Sequence, residues 1–189
     1  MLSWDRKRIT NDSWEFEQVE DFSVFSDFIC GNDDLDDFIQ NDAKKHKEAL
    51  IAETYSFRFV DEGGLRTAPL AFISLSNDTI PLSKEQKKVF HRTLRRYKTY
   101  PAVKVARLGV YRDLQGNNIG TAVLNLIKLL FLSSNRTGCR FITVNAVNRP
   151  RVLKFYLNND FKFLDEQQDA ADKTRFMFYD LKRFTILTA

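Results

Sequence analysis

The sequence predicts an α/β fold of the α+β kind. Three observations predict it. Stretches with strand-like alternation are interleaved with stretches of helical period along 189 residues, enough for one domain with a full core. The apolar fraction of 43% is that of a globular chain and too high for disorder. The third is the segment Val105–Thr121, where apolar alternation at Ala106, Leu108 and Val110 gives way to a polar turn and then to helical spacing at Ile119, Val123, Leu124, Ile127, Leu130 and Phe131. No linker, repeat or low-complexity segment divides the chain, so residues 1–189 read as a single domain.

Trp14 to Val19 alternates apolar and acidic residues and reads as a half-buried strand at a sheet edge. In Phe28-Ile29-Cys30-Gly31-Asn32-Asp33-Asp34-Leu35-Asp36-Asp37-Phe38-Ile39, Asn32 or Asp33 caps a helix whose first turn favours acids. Its inner stripe is Leu35, Phe38, Ile39 and Ala43. The acids lack the EF-hand spacing, so they read as a solvated first turn rather than a metal site. Glu53–Val60 and Pro69–Leu75 read as strands, with Gly63-Gly64 marking a hairpin.

Ser83–Lys98 reads as a helix. Ser83 and Gln86 fit a capping box, and Val89, Phe90, Leu94 and Tyr97 form the inner stripe. Lys84, Lys87, Lys88, Arg92, Arg95, Arg96 and Lys98 face a single acid, Glu85. Pairing within the helix cannot account for that composition, so the face points to a polyanion, RNA above all. Lys87, Lys88, Arg92, Arg95 and Arg96 are its candidate contacts. His91, without a nearby acid, reads as a surface contact.

The central strand begins near Val103. The Ile119–Leu132 helix follows the turn, and Ser133–Gly138 closes it. Phe141–Val147 is a second buried strand. Asn148-Arg149-Pro150 opens a short helix that carries Val152, Leu153, Phe155 and Tyr156 and ends at Asn158-Asn159-Asp160. Phe161–Leu164 and Arg175–Leu181 are the last strands, joined by the polar loop Asp165–Lys173.

No apolar run approaches the roughly 20 residues of a membrane helix, and the N-terminus lacks a signal pattern. The expectation is a cytoplasmic protein with no membrane. Cys30 and Cys139 are the only cysteines; they form no metal pattern and read as buried apolar side chains. No metal site is expected. The net charge is +4.

A turn rich in Gly and Asn that opens a helix presents free backbone N–H groups at the positive end of the helix dipole, which suits phosphate. Gln115-Gly116-Asn117-Asn118-Ile119-Gly120 is neither a P-loop nor a G-x-G-x-x-G turn. It resembles the pyrophosphate loop Q/R-x-x-G-x-G/A of the GNAT acetyltransferases, with Asn118 at a glycine position; Asn tolerates left-handed angles better than most residues. Phe155-Tyr156-x-x-x-Asp160-Phe161 resembles the family's F-Y-x-x-x-G-F, with Asp160 for Gly. The N-terminal F-x-C-G-x-x-x-L pattern and Tyr100–Val110 resemble the toxin-type branch, found in bacterial toxin–antitoxin modules.

The resemblance implies a GNAT-like mixed sheet, splayed at its centre and flanked by helices, with acetyl-CoA in the gap. Leu108, Gly109 and Val110 would hold pantetheine and stabilise the oxyanion through their backbone. Gln115, Gly116, Asn117, Asn118, Ile119, Gly120 and Thr121 would take the pyrophosphate, and Asn148 and Arg149 would add cofactor contacts. Tyr156 matches the family's general acid. No carboxylate stands in the central strand as a base. An α-amine of pKa about 7.7–8.0 reacts without one, whereas a lysine amine near ~10.4 would need about 3 units of help, roughly 4 kcal/mol. The toxin branch acetylates the α-amine of aminoacyl-tRNA and blocks translation, and the basic segment suits that substrate. A cognate antitoxin and a homodimer follow from the resemblance alone. Two readings compete: a GNAT enzyme for a small amine or protein N-terminus, and a non-enzymatic module that binds RNA or senses acyl-CoA.

Overall fold

The computed structural model describes residues 3–4, 7–133, 138–165 and 172–184. The chain forms two compact units, Met1–Ser76 with Val105–Ser134 and Asn77–Lys104 with Asn135–Ala189. Strands and helices mix in both, as the sequence predicts.

The first unit is built on an antiparallel run of β1 (Ser3–Trp4), β2 (Arg8–Thr10), β3 (Trp14–Gln18), β4 (Glu53–Phe59) and the first part of β5 (Ala71–Pro81). The Gly63-Gly64 hairpin forms between β4 and β5, with Gly64 at φ 79°. The expectation of an edge strand at Trp14–Val19 is corrected. β3 pairs with β2 on one side and β4 on the other, through Phe16↔Ile9 and Phe16↔Phe57. Strands of two and three residues carry too little alternation to be read from sequence. As an interior position, Glu15 is fully buried, and its carboxylate meets the guanidinium groups of Arg8 and Arg66.

Asn32 caps α1 (Asp33–Asp37), accepting from the Leu35 amide at 3.3 Å. One π turn, Phe38–Asp42, joins it to α2 (Ala43–Glu48). The expected stripe holds: Phe38, Ile39 and Ala43 are buried and Leu35 packs against the same cluster. Phe25, Phe28, Phe38 and Phe72 meet edge-on or stacked within that cluster. α3 (Ile119–Ser133) buries Ile119, Val123, Leu124, Ile127 and Leu130 of the expected face, and Phe131 at its end is half-buried. Fully burying each of Val123, Leu124 and Ile127 contributes roughly 1.5–3 kcal/mol.

In the second unit β7 (Phe141–Val147) pairs with β9 (Thr174–Asp180) along its whole length, and β8 (Lys162–Phe163) adds to the far side of β9. The first part of β6 (Thr99–Val110) adjoins β7, where the Arg140 amide donates to Pro101 O at 3.1 Å. Ile80, Leu82, Phe90, Tyr100, Ala102 and Phe141 form the core. α4 (Pro150–Asn158) starts with proline in its first turn. Within the expected Asn148-Arg149-Pro150 start, Arg149 is the cap residue, without a side-chain cap bond. Residues 134–137 of the expected turn and 166–171 of the expected loop lie outside the described residues.

The predicted helix Ser83–Lys98 does not form. Two short 3₁₀ turns, Gln86–Val89 and Arg92–Arg96, replace it, separated by extended backbone at Phe90 and His91. The capping box itself is present: Ser83 N–H donates to Gln86 Oε1 at 2.8 Å and Gln86 N–H to Ser83 Oγ at 3.2 Å. Seven cations with a single acid among them, Glu85, which pairs only with Lys88, oppose a continuous helix. Phe90 instead stacks on Tyr100 at 4.5 Å, which pins the chain between the turns. Of the expected stripe only Phe90 is buried; Val89 is 68% exposed and Tyr97 47%.

Candidate active site

The polar turn ahead of α3 has the geometry of an anion site. A single 3₁₀ turn, Arg112–Leu114, follows β6. Gly116 then takes φ 89° and Asn118 φ 60°, so the residue at the family's glycine position does adopt the left-handed angle. Ala122 N–H donates to Asn118 O at 2.9 Å, which makes Asn118 the first acceptor of the helix. The N–H groups of Ile119 and Gly120 fall in the first turn, where the helix offers no acceptor. No acidic side chain occupies that turn to compete with an anion.

The side chain of Gln115 serves the loop rather than a ligand. Its Nε2 donates to Cys30 O at 2.7 Å and to Val110 O at 3.2 Å. The Gln115 and Asn117 amides close 3₁₀-type bonds to Arg112 O and Leu114 O, both 3.4 Å. A second tie joins the Arg112 amide to Ile29 O at 2.9 Å. The segment Ile29-Cys30-Gly31 thus lies along the turn as a strap. Sequence reading singled out its F-x-C-G-x-x-x-L pattern without a physical role; the strap's carbonyls supply one. The strap is held in turn by Asp36, whose carboxylate accepts from the amides of Cys30 at 2.7 Å and Gly31 at 3.2 Å.

The last part of β6 presents two different faces. Val105 and Gly109 are buried, while Ala106, Leu108 and Val110 are half-buried. The alternation is therefore as expected, but the face of Leu108 and Val110 is the more open one. Gly109 packs against Phe72: a Cβ there would lie 2.5 Å from the ring, so only glycine fits. Arg107 sits over the Phe38 ring at 5.1 Å, and its Nε is 3.7 Å from Asp34.

Tyr156 is buried near the end of α4, and its hydroxyl makes no hydrogen bond to protein among the described residues. Burial holds its pKa above the ordinary tyrosine value, so the phenol keeps its proton at neutral pH. The helix ends on a complete Schellman motif. Phe161 N–H donates to Tyr156 O at 3.1 Å and Asp160 N–H to Leu157 O at 3.0 Å, with Asp160 at φ 65°. The Phe161 ring packs against Tyr156 at 5.3 Å. The spacing Phe155-Tyr156-x-x-x-Asp160-Phe161 is the spacing of this cap, and the cap aims the Tyr156 ring.

Asn148 contacts the residues just before β9: its Nδ2 donates to Asp172 O at 2.9 Å and its N–H to Lys173 O at 3.0 Å. Arg149 is exposed. In the basic segment, every residue from His91 to Thr99 is exposed. The predicted RNA contacts divide by role. Arg95 ties the two turns together through Phe90 O at 2.9 Å and Lys88 O at 3.0 Å. Lys87 donates to Tyr97 O at 2.8 Å, and Lys88 pairs with Glu85. Arg96 lies over the Tyr97 ring at 5.6 Å. Arg92 is exposed between them. Cys30 and Cys139 are buried thiols, as expected, and no metal-binding cluster occurs among the described residues. No helix among them is long and apolar enough to cross a membrane.

No protein-family model matches the chain. No curated protein sequence matches it. Solved structures do. A tyrosine-to-phenylalanine mutant of KacT is 22% identical, with a TM-score of 0.70 over 90% of this chain and 96% of that one. A tyrosine-to-phenylalanine mutant of the toxin AtaT, bound to the C-terminus of the antitoxin AtaR and acetyl-CoA, is 19% identical, with a TM-score of 0.65 over 91% and 95%. AtaT complexed with acetyl-methionyl-tRNAfMet is 20% identical, with a TM-score of 0.65 over 89% and 95%. Nearly the full length of each structure is matched, and the chain therefore has the GNAT fold in the form seen in these toxins.

Proposed function

We propose that this chain is an acetyl-CoA-dependent N-acetyltransferase of the toxin type, acting on the α-amine of aminoacyl-tRNA. The observation that carries the reading is the fold shared with AtaT, a toxin solved with acetyl-CoA and with acetyl-methionyl-tRNAfMet. The left-handed turn at Gly116 and Asn118 supports the choice of cofactor, because it opens the first amides of α3 toward a diphosphate. In this reading the Gln115–Thr121 turn holds the pyrophosphate through the open first-turn amides of α3, while the Gln115 and Asn117 amides stay bonded within the turn; Leu108, Gly109 and Val110 align pantetheine, and Asn148 and Arg149 add cofactor contacts.

The amine nitrogen attacks the thioester carbonyl carbon. The C–N bond forms, the oxyanion leans on strand amides, and the C–S bond breaks with its electron pair on sulfur. Tyr156 gives its proton to that sulfur as general acid and is reprotonated at the expense of the ammonium proton released by the amine. A raised pKa suits the role in one respect: the acid is fully protonated when the substrate arrives. Arg92 and Arg96, exposed and free of carboxylate pairs among the described residues, support a phosphate-backbone contact. An antitoxin partner, a homodimer, a cytoplasmic location and a single functional domain complete the proposal.

The test is transfer of radiolabelled acetyl groups to bulk tRNA. Label should enter charged tRNA and not deacylated tRNA. Two of the similar structures carry a tyrosine-to-phenylalanine change, and Tyr156→Phe is the variant that tests the proposed acid here. It should lower kcat by about 100-fold or more with unchanged thermal stability, since the hydroxyl has no partner among the described residues. Robust transfer to small amines with none to charged tRNA overturns the substrate.

A further inference from the structure

Asp36 lies in α1, far along the chain from the anion turn, yet two short hydrogen-bond steps connect them. Its carboxylate accepts the amides of Cys30 and Gly31, at 2.7 and 3.2 Å. Those amides belong to the same strap whose carbonyls face the turn. Ile29 O takes the Arg112 amide at 2.9 Å, and Cys30 O takes Gln115 Nε2 at 2.7 Å. Gly31 lets the strap turn, because it holds φ 79° in the left-handed region. Asp36 is itself anchored, because its amide donates to Asn32 O at 2.9 Å within the capped first turn.

We infer that Asp36 is a positioning residue for the cofactor: by fixing the Cys30–Gly31 strap it holds Gln115 and Arg112, and through them the anion turn, in the shape that receives a diphosphate. The inference rests on the proposed acetyl-CoA chemistry and extends it to a residue that touches neither cofactor nor substrate. The physical reason is preorganisation. A turn with Gly116 and Asn118 both at positive φ has other conformations within reach. Holding it from the outside removes the ordering cost that the ligand would otherwise meet. A carboxylate is suited to the task because one group accepts two consecutive amides in charge-assisted bonds. The neighbouring acids do not share the role: Asp37 accepts from Asn41 at 2.8 Å, on its own helix.

The experiment is calorimetric titration of CoA into the wild-type chain, Asp36→Ala, Asp36→Asn and the control Asp37→Ala, with kcat and KM for acetyl-CoA measured beside it. Asp36→Ala should weaken CoA binding by roughly tenfold to a hundredfold and raise KM in proportion, with kcat at saturating acetyl-CoA within about twofold of wild type. Asp36→Asn keeps one acceptor oxygen and should recover part of the affinity. Asp37→Ala should bind as wild type does. A purely structural residue would lower the melting temperature and the active fraction, hence kcat, and leave the Kd of the folded protein unchanged; that outcome overturns the inference. If Asp36→Ala does not fold, Asp36→Asn decides it: unchanged Kd and KM overturn it and raised values support it. Absence of CoA binding to the wild type removes the acetyl-CoA reading and this inference with it, whereas wild-type binding equalled by Asp36→Ala removes the inference alone.

Discussion

Asp160 and Asn118 both hold left-handed backbone angles, φ 65° and 60°, which cost a residue with a Cβ about 1 kcal/mol or more relative to glycine. Their environments separate the consequences. Asp160 is exposed at the C-terminal end of α4, so Asp160→Gly should raise stability by about 0.5–1 kcal/mol in urea unfolding and leave cofactor affinity unchanged. Asn118→Ala should lose about 1 kcal/mol and weaken CoA binding as well, since its strain falls on the anion turn; Asn118→Gly should bind at least as well as wild type. The thiols carry a pH dependence. Burial, assisted by the bond to Asp36, pushes Cys30 from 9.0 up to about 12, and burial pushes Cys139 up to about 11. Each binds its proton more tightly folded than unfolded. Their stabilising contribution is whole below pH 9 and is lost as pH rises through 11 and then 12. Urea midpoints measured from pH 8 to 11 should fall, and less steeply in Cys30→Ala.

At the scale of elements, β6 shows how one position sets a strand's packing. Gly109 lets the Phe72 ring approach where a Cβ would meet it at 2.5 Å. Gly109→Ala should cost about 1–3 kcal/mol in urea unfolding, through displaced aromatics rather than strand propensity. The elements legible in the sequence are those with a long, uniform period: α3 and the stripe of α1 with α2 emerge with their expected inner faces, and β7 emerges as the expected buried strand. The anion turn was legible through Gly116 and Asn118, whose residue types announce positive φ. What could not be read had a tertiary cause. β3 became interior because two strands too short to show a pattern cover its edge. Ser83–Lys98 had a cap and a period but not the packing: Phe90 is claimed by Tyr100 and Phe141, and Glu85 can pair with only one of the seven cations. The strap escaped because Asp36 and Gln115 each bond a peptide group at Ile29–Gly31, and a backbone partner far along the chain leaves no residue-type pairing to read.

For the molecule as a whole, a net charge of +4 matters through its placement. The anion turn belongs to one unit, and the basic segment and Tyr156 to the other, so the two halves of the proposed activity can be tested apart. Arg95 binds two carbonyls of its own segment, so reversing it would also unsettle the turns. Arg92→Glu with Arg96→Glu is the cleaner change. It should abolish acetyl transfer to charged tRNA while CoA binding and the melting temperature stay near wild type, and wild-type affinity for tRNA should fall steeply with added salt. Transfer that survives both changes would assign the RNA contact elsewhere. The strap has a consequence on a longer timescale. Gln115 reaches a carbonyl 85 positions away, and Asp36 grips the other side of the same peptide units. Neither side chain is useful without its counterpart, so among descendants of this gene the two sites should be gained and lost together, a correlated inheritance visible in aligned genomes before any protein is purified.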